Sequence, residues 1–123
     1  MSILVYPYRR NKRTNEIEGL SASCISPYND MFGPENWRVR VWGTELLEKL
    51  NCFLIYSLLD SNLYVEKTEL IALKEELNIL LQHSQTISNE LKVNEDTFKF
   101  RVYNALEAIR IALLYDNSGV AIE

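Results

Sequence analysis

One histidine, two separated cysteines and a scatter of carboxylates are the groups with which this chain could do chemistry. His83 has no second histidine and no cysteine near it in the sequence. Zinc-type sites need several such ligands at short spacing, so no metal centre is expected, and no cofactor either. Cys24 and Cys52 fit no metal or redox spacing and stand in apolar stretches, where a free thiol behaves as a small core residue. The chain has no G-x-S-x-G, P-loop or G-x-G-x-x-G motif. Nucleophilic catalysis needs a serine or cysteine beside a base, and no spacing here supplies one, so no catalytic residue is assigned.

Carboxylate pairs can do acid–base work without a histidine. Glu75 and Glu76 are adjacent, and on a helix they diverge by about 100°. Glu66 and Glu69 would share a helical face, but like charges near a helix start more simply complement its dipole. The run Arg9, Arg10, Lys12, Arg13 has the charge to hold a phosphate backbone, with only Tyr8 as a nearby aromatic platform. Its plain reading is a solvated hairpin tip. Residues 32–43 place Phe32, Trp37, Arg38, Arg40 and Trp42 close together. Tryptophan and arginine dominate interface hot spots, and they also close small cores by stacking, so both readings stay open, with structure ahead.

Several stretches resemble a family of small, mostly uncharacterised bacterial proteins. They are Phe32-Gly33 through Trp37-Arg38 to Trp42-Gly43, Leu63-Tyr64-Val65-Glu66, the run from Phe100-Arg101-Val102 to Ala108-Ile109, and Gly119-Val120-Ala121-Ile122. Together they cover about a third of the chain, and none is a catalytic motif. The resemblance implies an architecture more than an activity. Proteins of this size and type often turn out to be immunity proteins that neutralise a toxin, and that function is what the resemblance implies.

The elements that must position these residues read as α+β. Residues 2–8 are β-branched and aromatic and predict a strand, which Pro7 confines to an edge or an end. Residues 17–26 alternate and predict its hairpin partner. Residues 35–42 fit a strand by strict alternation, or a helix opened by Pro34 and stopped by Gly43; the alternation favours the strand slightly. Thr44 is placed to cap a short helix over 44–50, and 53–59 is a buried segment of either type. Residues 63–65 are a short extended piece. Over 68–91, Leu70, Leu73, Leu77, Leu80, Ile87 and Leu91 recur at helical steps with Ser84 in the remaining place, predicting one amphipathic helix. Asn94 caps a second helix, 95–115, with an apolar stripe from Phe98 through Val102, Leu106 and Ile109 to Leu113. The short link makes the two antiparallel, and residues 120–122 form a last short strand. The expected architecture is a small antiparallel N-terminal sheet on an antiparallel pair of long helices, all within one domain.

The net charge of −4 disfavours a nucleic-acid binder. Residues 1–43 carry six basic and four acidic groups, residues 44–96 four and ten, and residues 97–123 three of each. The acidic middle therefore points to a basic partner. No leader segment and no bilayer-length apolar run are evident, so the expected place is the cytoplasm, away from membranes. The expected function is a non-enzymatic protein-binding domain, an immunity protein blocking a basic toxin domain through Glu66, Glu69, Glu75, Glu76 and Glu90. Trp37, Arg38, Arg40 and Trp42 form the second candidate surface. The alternatives are a small enzyme or accessory subunit with a carboxylate site, and a homodimerising module using the leucine stripe.

Overall fold

A computed structural model describes residues 2–20, 25 and 27–123. The elements run β1 (Ser2–Arg10), β2 (Ile17–Gly19), β3 (Met31–Pro34), a π-helical turn (Arg38–Trp42), α1 (Glu45–Lys49), α2 (Phe53–Tyr56), a 3₁₀ turn (Ser57–Leu59), β4 (Leu63–Glu66), α3 (Thr68–Gln82), α4 (Ser84–Leu91), α5 (Glu95–Ala112) and β5 (Ser118–Ile122). This is the expected α+β class, with N-terminal strands and a short C-terminal one. The sheet is antiparallel in order β2-β1-β5-β4, and β3 pairs with the first half of β1.

The last strand occupies the middle of the sheet, between β1 and β4. Its register sorts the two faces by a period of two. Val5, Ile122 and Leu63 form one cross-strand row, and Pro7, Val120 and Val65 the next; all six are buried. Helix α5 packs against this side, touching β1, β3 and β5, while α3 and α4 lie against α5. Alanines 105, 108 and 112 are fully buried on α5 and let it sit close to its neighbours. On the opposite face the rows are Tyr6, Ala121, Tyr64 and Tyr8, Gly119, Glu66. A methyl group on Gly119 would lie 2.7 Å from Tyr8 Cζ, so the phenol ring covers the glycine directly and Tyr8 itself is fully buried.

Asn94 caps α5 as predicted, accepting the Thr97 N–H at 2.8 Å. A helix does follow Thr44, but the threonine hydroxyl donates to the Val41 carbonyl (2.7 Å) instead of capping it.

Five expectations change. Pro7 does not place β1 at an edge or an end: it stands inside an interior strand paired with β2, β3 and β5, where its carbonyl accepts the Leu20 N–H at 2.8 Å just past the end of β2, so the missing N–H faces that side and costs no bond to β5. Residues 38–42 are helical, not a strand: the Gly43 N–H donates to the Arg38 carbonyl five residues back at 2.8 Å. Burial shows why alternation misleads here, since Val41 and Trp42 are both fully buried while Val39 is 65% exposed. Residues 68–91 form two helices, broken at His83 (φ −105°, ψ 15°), where His83, Ser84 and Thr86 are weaker helix formers than the residues before them. Helix α5 ends at Ala112, and Leu113 is 53% exposed instead of packing on the leucine stripe. The predicted strand over 17–26 is strand at Ile17–Gly19; Cys24, with 21–23 and 26, lies outside the described residues.

Candidate binding cleft

The hairpin between β1 and β2 is built by Asn11, whose side chain accepts the N–H groups of Arg13 (2.8 Å) and Thr14 (3.1 Å). This Asx turn brings the basic run to one end of the sheet. The chain entering β5 passes beside it, with the Arg10 N–H donating to the Asn117 carbonyl at 2.7 Å. Between these two segments and the start of α3 opens a cleft of about 660 Å³. Arg10, Lys12 and Lys67 line it with Glu66, Leu113 and Tyr115, within the size range of ligand sites.

Glu66 organises one wall. Its Oε2 accepts the Tyr8 hydroxyl at 2.5 Å and the Arg10 Nη2–H at 2.8 Å and Nε–H at 3.2 Å. The Arg10 guanidinium, followed by the Tyr8 hydroxyl, holds the Glu66 carboxyl below the usual carboxylate range. Burial first, then the bond to Glu66, push the Tyr8 phenol upward, so it stays protonated. Arg10 Nη1 also donates to the Asn15 carbonyl at 3.0 Å, tying the ion pair to the hairpin turn. Farther along the same face, Glu123 accepts the hydroxyls of Tyr6 (2.7 Å) and Tyr64.

The structure disperses the five carboxylates expected to form one acidic face. Glu66 lies on β4, not on a helix, and is consumed by Tyr8 and Arg10. Glu76 points inward from α3, only 9% exposed, and accepts the N–H groups of Leu54 and Ile55, each at 3.0 Å. Burial nevertheless raises the Glu76 carboxyl above its ordinary value. Glu69, Glu75 and Glu90 remain exposed, divided between α3 and α4.

The tryptophan–arginine segment is mainly architecture. Trp37 and Trp42 are buried; Trp42 stacks on Phe32 at 4.2 Å and donates its indole N–H to the Phe32 carbonyl at 3.1 Å. The Arg101 guanidinium lies 4.5 Å from the Trp37 ring. Arg38 pairs with Glu35 and staples the 58–62 loop through Leu58, Ser61 and Asn62. Arg40 alone of the four is exposed. His83 is exposed at the α3–α4 break, and Cys52 is buried, its thiol pushed up to about 12 by loss of solvent and the charge of Glu76.

Sequence reasoning singled out Glu66 and the arginine run but missed Lys67, Leu113 and Tyr115. One signal was present: Leu113-Leu114-Tyr115 are three consecutive apolar residues, more than a narrow helical stripe needs. They are 53%, 68% and 37% exposed. Among the described residues no group of three or more His, Cys, Asp or Glu could hold a metal ion, and no helix is long and apolar enough to cross a membrane. No family model, curated protein or solved structure matches the chain.

Proposed function

We propose that this chain is a non-enzymatic protein-binding domain, and that its contact surface is the Leu113-Leu114-Tyr115 ridge at the mouth of the cleft. The exposure of these three consecutive residues carries the reading, because clustered apolar surface beside a concavity is costly to leave in water unless it is covered in use. The state of the interior carboxylates supports it. Glu66 is held ionised by Arg10 and is a weak base at neutral pH, Glu107 is occupied by Arg110 and the Ile25 N–H, and Glu76 faces backbone amides. A toxin-neutralising role of the immunity type is the specific form we favour, on the strength of the sequence resemblance. With Glu66 and Glu76 engaged internally, the ridge replaces the acidic helix as the proposed surface.

A photo-crosslinking residue at Leu114, introduced into the protein in the cells that make it, tests this. One protein should be captured from position 114, and capture should be lost when Leu113 is changed to Asp in the same chain. Val39, 65% exposed on the π-helical turn, is the control position. Equal capture from positions 39 and 114, or none from 114, refutes the reading.

A further inference from the structure

We infer that the cleft receives an acidic segment of the partner protein that also carries apolar side chains, with Lys67 as a charge contact. This rests on the protein-binding reading and adds the chemistry of what is bound. A second concavity of about 610 Å³ adjoins the first, sharing Arg10, Lys12 and Asn117 with it and adding Arg9 and Arg13. A third, of about 380 Å³, meets the first at Leu113 and adds Lys74. The three make a trough whose charge runs against the −4 of the whole chain. Lys12, Arg13, Lys67 and Lys74 make no ion pair among the described residues, whereas Glu66 is already neutralised by Arg10. Among the described residues Asp116 is the one other carboxylate of the lining.

Lys67 adds an independent observation. It sits at φ 57°, ψ −125°, backbone that glycine adopts without penalty and other residues adopt under strain. Lysine stands where glycine would relax the β4–α3 turn, and it lines the cleft. Leu113 and Tyr115, both exposed, supply apolar surface beside the charges, while Leu70 and Ile109 are buried beneath it. A phosphodiester backbone offers nothing to such apolar surface, and the acidic remainder of the protein repels a long polyanion. A short segment alternating carboxylates with apolar side chains satisfies both features.

The test is fluorescence anisotropy with a labelled peptide of alternating glutamate and leucine, run against a glutamine–leucine peptide and a single-stranded oligothymidylate. The acidic peptide should bind best, and more weakly as ionic strength rises from about 0.01 M to about 0.15 M. Lys67→Gly should weaken binding about fivefold while raising the urea midpoint, and Lys67→Gln should weaken it similarly without that gain. Lys12→Glu should weaken it further, whereas Lys49→Glu, outside the trough, should not. Binding indifferent to Lys67 and Lys12, an equally good glutamine peptide, or tighter binding of the oligonucleotide overturns the inference. Capture at Leu114 with no preference for the acidic peptide would overturn the acidic segment alone, leaving protein binding intact. Peptide binding without capture at Leu114 would overturn the ridge reading instead.

Discussion

Removing Glu76 should unfasten α2 from α3. The carboxylate accepts two main-chain N–H groups at the start of α2, from Leu54 and Ile55, where the chain has no side-chain cap of its own. Ile55 is fully buried and Leu54 is half-buried, so water can replace the lost acceptor for one amide far better than for the other. An unsatisfied buried amide costs about 1–3 kcal/mol, and the partly wet one should cost less, giving about 2–4 kcal/mol for Glu76→Ala. Glu76→Gln keeps one acceptor oxygen but turns an NH₂ toward the second amide; it also removes the burial of a charge, so its loss should be smaller. The pH dependence has a definite sign. Burial raises the Glu76 carboxyl above its unfolded value, so the folded state holds the proton more tightly. Its favourable contribution is complete below the unfolded value and is lost as pH rises through the folded one. Urea denaturation of wild type and Glu76→Gln at a series of pH values isolates this contribution by difference. The wild-type minus variant stability should fall as pH rises from the carboxylate range toward neutrality. A Glu76→Ala midpoint within error of wild type, or a difference that grows with pH, would refute the reasoning.

Leu77 on α3 is fully buried, and Leu77→Ala should cost about 2–5 kcal/mol, read from thermal melts by circular dichroism. Gly119→Ala would place a methyl group 2.5 Å from the Val65 carbonyl and 2.7 Å from Glu66 Cγ in the centre of the sheet; a loss of about 1–3 kcal/mol in urea denaturation is expected. Glu66, Glu107 and Glu123 are all held below the ordinary carboxylate range, by Arg10, Arg110 and Tyr64 respectively. Their stabilisation is present above the unfolded carboxylate value and is lost as pH falls through the folded ones, so stability should drop in acid. Glu66→Gln should show a shallower drop in the same titration.

The class of the fold was legible because periodicity reports burial where one element has one buried face. The α5 stripe from Phe98 to Ile109 and the Asn94 cap fall where the spacing put them, and Leu113 is where the stripe fails. The failures have physical causes too. Around His83 the apolar spacing continues across the break, because both helices bury their stripes in the same core, so period alone cannot reveal a change of axis. In residues 37–42 burial falls on Trp37, Val41 and Trp42, an i, i+4, i+5 set of the helical kind, but arginines that alternate with Trp37, Val39 and Val41 give the same residues a period of two as well. The central place of β5 was illegible for a third reason: a five-residue strand buried on both faces carries no alternation that would mark it as central.

The site was less legible than the fold because charge was counted by segment, whereas electrostatics acts between segments. Residues 44–96 contain an excess of six carboxylates, which reads as an acidic face. Yet Glu66 is neutralised by Arg10, from the segment counted as basic, and Glu76 is spent on two amides within its own segment. Lys67, from the acidic segment, meanwhile joins Lys12 and Arg10 in the cleft. Folding therefore moves the unpaired charge of the trough to the opposite sign from that of the segment it borders. The apolar half of the signal was visible as Leu113-Leu114-Tyr115, but extending the helical stripe to Leu113 assigned it to the core. Ending α5 at Ala112 turns that residue outward, and the same turn carries Tyr115 and Asn117 to the hairpin, where the basic run and the apolar ridge become one surface.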